Sequence, residues 1–232
     1  IERVDRHFRD ARQPPYWVGN NVMLTAFCVN SRLLARKGLP VPHRWSELID
    51  PIYRRGIVMP SPTTSGSGLM AVLSILRLYD EVNGWQYLDE LHKNVAFYTN
   101  SGEQPCQLVQ QGEYPIGISK YYDGLNNVDF IYPSEGLSWE INASALLRKS
   151  TIQPAARLFL DWSISDSAMR LYARKSAATA VKTGLPVPPD FPADAAAGIS
   201  ALRKKDVPWT AANRDRILAE WQKRYQSKFK EE

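Results

Sequence analysis

Histidine and cysteine are scarce in this chain: its 232 residues hold three histidines, His7, His43 and His92, and two cysteines, Cys28 and Cys106. None of the histidines stands at metal-ligand spacing, which removes the common zinc patterns. His92 follows an apolar helical face and reads as structural. The cysteines allow either one disulfide in an oxidising compartment or two buried thiols. Neither falls in a Cys–His arrangement, and no Gly-x-Ser-x-Gly elbow occurs, so nucleophilic hydrolysis lacks its parts. No apolar run is long enough to span a bilayer as a helix. Glu135 and Glu140 are close in sequence, but glycoside chemistry depends on a spatial separation of carboxylates that sequence does not give. The chain begins at Ile1 rather than Met and carries no signal peptide, so a processed, trimmed or truncated chain is expected. Catalysis has little support here, and a binding protein without a cofactor is expected.

What is present describes a folded protein. Apolar residues make up 44% and aromatic residues 11%, with seven tryptophans, a composition that excludes disorder. The length fits one large domain or two small ones. Lys and Arg number 29 against 24 Asp and Glu, a net +5, with much of the excess at Arg203–Lys205 and Lys223–Lys230. No nucleic-acid reader motif accompanies those charges, so they read as solvated surface. A mildly positive field still favours anionic small ligands.

The stretch from Gly56 to Leu69 organises the rest. Ile57-Val58-Met59 is a short apolar run of the kind that forms a buried strand, ended by Pro60 and Pro62. Thr63 to Gly68 offers four hydroxyls, backbone amides and two glycines that let a ligand approach the main chain. Leu69, Val72, Leu73 and Leu76 then recur at helical spacing, making Thr64 or Ser65 the natural N-cap. Hydroxyls and amides entering a helix N-terminus form an anion site; the same pattern is also that of an ordinary capped helix. No lysine follows the second glycine, so this is not a Walker loop.

Along the chain, Ile1 to Arg12 is charged and expected to be helical. Tyr16–Gly19 and Met23–Val29 follow, the latter strand-like, then a short helix from Ser31 closed by Gly38. Gly84 opens a helix, Val95–Tyr98 is a strand, Gln104–Gln111 a helix and Ile116–Ser119 a strand. Phe130–Pro133 and Glu140–Leu147 read as strands, Pro154–Trp162 and Ser165–Lys175 as helices. Ala177–Ala193 is proline-rich and irregular. Ala211–Lys228 is amphipathic, with Ile217, Leu218, Trp221 and Tyr225 on one face. Three strands thus end in hydroxyl-rich turns, at Thr63–Ser67, Thr99–Ser101 and Ser119–Tyr122. In open α/β sheets ligands sit beyond such carboxyl ends.

Several segments together resemble the periplasmic solute-binding proteins of ABC transporters, in the branch that contains ferric-iron and 2-aminoethylphosphonate receptors. They are Trp45–Tyr53, Ile57–Gly68, Tyr98–Gly102, Gly112–Ser119 and Pro133–Glu140. Trp209–Trp221, Tyr16–Gly19 and both cysteine positions look especially like the aminophosphonate receptors. The resemblance implies an α/β, type II periplasmic-binding-protein fold: two α/β lobes, a hinge and a ligand in the interlobe cleft, with the first lobe incomplete in this chain. Residues 1–30 would be a remnant of lobe one and hinge, 31–130 lobe two, and 131–232 a return to lobe one with the C-terminal helices. It places an anionic group at Thr64, Ser65 and Gly66, with Ser101 and Ser119 or Tyr122 closing around it. Lys120 adds charge or is a solvated rim lysine. Tyr121 stands where the aminophosphonate receptors often carry an acidic residue, and Asn21 and Asn142 are departures of the same kind. Glu140, Glu135 and Asp123 remain as partners for a ligand ammonium. If iron were the ligand, Tyr121 and Tyr122 would be its phenolate ligands. Trp139 walls the cleft or fills core. The implied protein is a periplasmic monomer that takes 2-aminoethylphosphonate or a similar small phosphonate to a membrane permease. A ferric-iron receptor, or an enzyme acting on a phosphorylated small molecule, is the alternative.

Overall fold

One strand, β1 (Trp17–Val29), makes ladder hydrogen bonds with four others in the computed structural model of this chain. The structure describes residues 3–4, 8–120, 124–136, 139–147, 151, 153–173, 178–179 and 207–229. The strand-like run Met23–Val29 extends back through Trp17 as one strand of 13 residues, with a bulge between Gly19 and Asn21. The chain divides into two compact units, and the division falls inside β1, between Leu24 and Thr25.

The larger unit comprises Thr25–Ser138 and Pro192–Glu232. After β1 come α1 (Ser31–Arg36), short 3₁₀ turns at Trp45–Ile49 and Pro51–Tyr53, β2 (Ile57–Pro60) and α2 (Gly66–Leu78). Then follow α3 (Glu81–Asn94), β3 (Val95–Thr99), α4 (Gln104–Gln110), β4 (Ile116–Lys120) and β5 (Asp129–Ile131). The strand order is β3-β2-β4-β1-β5. β2 runs parallel to both β3 and β4, while β1 is antiparallel to β4 and β5. The parallel strands are buried apolar runs, as strands covered on both faces must be. Phe27 and Val29 alternate into a large core with Trp45, Leu48, Ile57, Met59, Ile75, Leu91, Ile116 and Ile118. Cys28 points the other way, beside Cys106 and Val109 of α4. Asn30 caps α1 through its side chain, and Gly38, with φ +65°, follows that helix as its sequence predicts.

The smaller unit comprises Ile1–Leu24 and Trp139–Phe191. Its described elements are the first part of β1, β6 (Trp139–Ala145), α5 (Pro154–Ser163), α6 (Asp166–Ala173) and β7 (Ala178–Thr179). Both β6 and β7 pair antiparallel with β1. Val4, Phe8, Val22, Leu24, Ala168 and Met169 are buried. Trp139 is half-buried and meets Phe8 edge-on at 5.5 Å between ring centroids. The expected N-terminal helix is absent among the described residues. Arg9 bridges antiparallel to Val18 instead, and the Asp10 carboxylate accepts the Tyr16 amide, turning the chain back on β1. Of the irregular Ala177–Ala193 segment, only Ala178 and Thr179 lie among the described residues, and they pair with Val22 and Asn21.

The last described helix, α7 (Val207–Tyr225), packs in the larger unit, where the family resemblance expects it in the first lobe. Its buried Ile217, Trp221 and Tyr225 are the predicted apolar face, and they meet aromatic partners. Trp221 contacts Tyr98 edge-on at 4.8 Å, and Tyr225 lies 5.0 Å from His92. Arg216 pairs with Glu81 and Arg224 with Asp89, on α3. The residues just after α7 continue along β3: Phe229 bridges parallel to Tyr98, and Lys228 donates to the carbonyls of His92 and Val95. Among the described residues no helix is long and apolar enough to cross a membrane.

Two expectations follow. Cys28 and Cys106 are joined by a disulfide across 78 positions. Chain-entropy reasoning gives a cross-link of that span about 4.5 kcal/mol, so urea unfolding with and without reductant should differ by about 2–5 kcal/mol. Burial first, then the nearby Lys228 ammonium, hold the His92 imidazole below its ordinary 6.5, with Asp89 opposing. Neutral His92 therefore contributes stability that is full above pH 6.5 and is lost as pH falls through its lower folded value. His92→Phe should flatten the drop in melting temperature between pH 8 and pH 5.5; an unchanged drop would assign it to other groups.

Candidate functional site

The described polar turns at the ends of β2, β3 and β4 lie in the larger unit and are tied to one another. The Ser61 amide donates to the Thr99 carbonyl at 2.9 Å, and the Thr64 hydroxyl to the Asn100 carbonyl at 2.9 Å. Ser61 and Thr63 share a hydroxyl–hydroxyl bond of 2.7 Å, while the amides of Thr64 and Ser65 both donate to the Ser61 carbonyl. Of the two expected caps, Thr64 and Ser65, Ser65 is the N-cap of α2, in extended conformation with φ −128° and ψ 129°. The helix leaves directly over the end of β2. A Cβ on Gly68 would lie 2.4 Å from the Pro60 carbonyl oxygen, so only glycine fits there.

The second turn is closed by its own side chains. Thr99 donates its hydroxyl to the Ser101 carbonyl at 2.9 Å, and Ser101 Oγ accepts the Glu103 amide at 3.3 Å. The buried hydroxyl of Ser119, near the end of β4, donates to the Gly102 carbonyl. These bonds hold Gly102 against the first turn of α2. A methyl placed on Gly102 would lie 2.7 Å from Ser65 Oγ and 2.8 Å from Ser67 Oγ.

Most hydroxyls here are committed to the scaffold; two are not. Ser65 and Ser67 are only 9% and 8% exposed. Among the described residues neither hydroxyl has a hydrogen-bond partner, and Ser65 does not close its own cap. The amides of Gly66 and Ser67 likewise have no backbone partner, as the first turn of a helix requires. Two nearly buried hydroxyls and two amides at the positive end of a 13-residue helix can accept an anion.

The structure thus gathers Thr64, Ser65, Gly66, Ser101 and Ser119 but gives them different tasks. Thr64 and Ser101 face solvent with their side chains engaged in turn bonds, and Ser119 is buried behind Gly102. Ser67 and Gly102 were not singled out by sequence reasoning. The repeat Ser65-Gly66-Ser67-Gly68 at a helix start was the available signal, since it puts two hydroxyls on the first turn. Lys120 ends β4 and is half-buried. Tyr121, Tyr122 and Asp123 lie outside the described residues. Glu140 lies on β6 in the other unit, opposite Met23, with its carboxylate accepting its own neighbour's amide, that of Ile141, at 3.3 Å. Among the described residues no group of three His, Cys, Asp or Glu could hold a metal ion.

Glu135, one of the carboxylates considered for a ligand ammonium, is instead committed to the fold. It accepts the amides of Trp45 and Ser46, the Tyr79 hydroxyl at 3.3 Å, and faces Arg44 Nε at 3.6 Å. The neighbouring Ser134 amide donates to the His43 carbonyl, and Trp45 Nε1 to the Gly136 carbonyl. Glu135 therefore caps the 3₁₀ turn that buries Trp45. Burial first, then this carboxylate, push the Tyr79 phenol up to about 12. Glu135→Ala would leave two amides without their acceptor. It should lower stability by about 2–4 kcal/mol in urea unfolding, and a smaller loss would show that water replaces the carboxylate.

Residues 1–205 match the family model for bacterial extracellular solute-binding proteins. A curated but uncharacterised protein of Haemophilus influenzae is 29% identical over 180 residues, covering 74% of this chain. The chain spans about half, 52%, of that relative's length. Among solved structures, the periplasmic binding protein AfuA from Actinobacillus pleuropneumoniae, with exogenous fructose-6-phosphate bound, superposes with a TM-score of 0.80. Its sequence is 22% identical, and the match covers 97% of this chain and 74% of that one. The periplasmic binding protein P5PA gives 0.77 at 18% identity, covering 96% and 76%. The apo ferric ion-binding protein A of Pasteurella haemolytica gives 0.74 at 15%, covering 95% and 72%. At such identities these likenesses speak for the fold alone.

Proposed function

We propose that this chain, which belongs to the bacterial extracellular solute-binding proteins, captures a small phosphonate for an ABC importer. Its fold is of the α/β, type II periplasmic-binding kind. In our reading the protein works in the periplasm as a non-catalytic receptor and passes its ligand to a membrane permease. 2-Aminoethylphosphonate is the first candidate, on the strength of the sequence resemblance.

The observation that carries the reading is the pair of nearly buried, unpartnered hydroxyls of Ser65 and Ser67 beside the open amides that begin α2. Their oxygens are not sealed from water, and an oxyanion entering there takes water's place as a stronger, charged acceptor. Hydrogen bonds to a charged group contribute about 1.5–3 kcal/mol each, so four would hold a phosphonate oxygen pair without a metal. Thr64, Ser101 and Ser119 then serve chiefly to fix the two turns. Lys120, at the end of the neighbouring strand, brings positive charge to the same end of the sheet. For the ligand ammonium we propose Glu140 or Asp123. A sugar phosphate presents the same oxyanion, and a solved neighbour carries fructose-6-phosphate. A ferric receptor would use Tyr121 and Tyr122.

A thermal-shift panel separates these ligands: 2-aminoethylphosphonate, fructose 6-phosphate, inorganic phosphate and ferric citrate. A ligand present at about a hundred times its dissociation constant adds about 2.7 kcal/mol of stability. We expect the largest shift with the aminophosphonate, and its loss in Ser65→Trp while the ligand-free melting temperature holds. A shift confined to fructose 6-phosphate would keep the site and replace the ligand. A shift confined to ferric citrate, with visible colour, would overturn the phosphonate reading.

A further inference from the structure

We infer that Gly102 is the positioning residue of this site, setting the side-chain rotamers of Ser65 and Ser67 so that both hydroxyls face one oxyanion. The inference rests on the reading that the turns before α2 and α4 hold a phosphorus oxyanion.

Gly102 does not have a left-handed φ, so its backbone conformation accepts alanine. Space, not conformation, asks for glycine there. The two atoms nearest an added methyl are Ser65 Oγ at 2.7 Å and Ser67 Oγ at 2.8 Å, and the next is Ser67 Cβ at an ordinary 3.4 Å. Each hydroxyl ends a side chain with a single heavy-atom torsion. The methyl is therefore relieved by turning those torsions, without moving the main chain. A change between staggered wells moves a hydroxyl oxygen by roughly 2 Å, which breaks a hydrogen bond of ordinary length.

Two further features keep Gly102 from retreating. Its carbonyl receives the hydroxyl of Ser119, which is fully buried near the end of β4. The turn just before it is closed by the Thr99 hydroxyl on the Ser101 carbonyl and joined to α2's approach by the Thr64 hydroxyl on the Asn100 carbonyl. Gly102 thus stays in place, and its bare Cα leaves both hydroxyls room to stand where they do. Neither hydroxyl has a hydrogen-bond partner among the described residues, so no such bond would hold it in place once a methyl filled that room.

The test is a mutant cycle on the full chain, read by calorimetric titration with 2-aminoethylphosphonate and with inorganic phosphate, and by melting temperature. Gly102→Ala should weaken binding by about tenfold or more at unchanged melting temperature. In a Ser65→Ala/Ser67→Ala background, adding Gly102→Ala should change the dissociation constant by less than about twofold, because the groups it acts through are gone. Equal binding by Gly102→Ala and wild type overturns the inference, as does an equal loss in both backgrounds, which would mean the methyl meets the ligand itself. If Gly102→Ala melts early, Ser119→Ala carries the test. Weaker binding at unchanged melting temperature, restored by Ser119→Thr, supports the inference, and unchanged binding overturns it. Wild-type binding of neither probe, or full binding by Ser65→Ala/Ser67→Ala, overturns the site reading itself and the inference with it.

Discussion

Backbone hydrogen bonding along β1 is the constraint on which the rest depends. Its residues Thr25–Val29 pair with β4, and Phe27–Val29 also with β5, while Trp17–Leu24 pair with β6. The period of two then decides which side chain enters which cluster. Phe27 and Val29 supply the large core, and Cys28 between them meets α4. A shift of register by one residue would exchange those faces. It would take Cys28 away from Cys106 and break the pairing of Ala26 with Ser119, whose hydroxyl holds Gly102. The polar turns are thus held in place by an apolar strand that contains none of their residues.

At the turns themselves, hydroxyl groups do two kinds of work. Those of Thr64, Thr99 and Ser119 are donors to main-chain carbonyls, which makes three loops into one scaffold. Those of Ser65 and Ser67 are left over. The division follows from close approach. Gly68 lets α2 start against the Pro60 carbonyl, and Gly102 lets the next turn come up beside that start. A side chain at Gly68 would push α2 off the end of β2, and one at Gly102 would turn the two serine hydroxyls away.

Much of this was legible in the sequence where periodicity and turn chemistry act locally. The run Ile57–Met59, the prolines after it and the apolar spacing from Leu69 gave β2, the turn and α2 with Thr64 or Ser65 as its N-cap, and the structure takes Ser65. The apolar face of α7 was also readable, but not the surface it covers. Its partners Tyr98, Trp85 and Asp89 are distant in the chain, and nothing in an amphipathic pattern names its complement. Glu135 failed for a related reason. A carboxylate in a polar turn looks alike whether it awaits a ligand or caps a distant 3₁₀ turn, and only the amides of Trp45 and Ser46 decide. The charged stretch Ile1–Arg12 reads as helix in the sequence and forms none among its described residues. Val4 and Phe8 are buried among them, and Asp10 turns the chain into a bridge with Val18. Gly102 was invisible because its role lies in what its missing side chain would touch.

The residues after α7 carry a consequence for the order of assembly. β3 is the outermost strand of its sheet, and its open side is met by Phe229, while Lys228 reaches the Val95 carbonyl from 133 positions away. During synthesis β3 and its aromatic neighbours emerge long before the segment that covers them. Until it arrives, the strand presents unpaired amides and a row of rings, the kind of edge on which chains join one another. Contacts of such long sequence separation form slowly. The time a nascent molecule spends with that edge exposed is thus set by the arrival of α7 and the residues just after it rather than by its ligand turns.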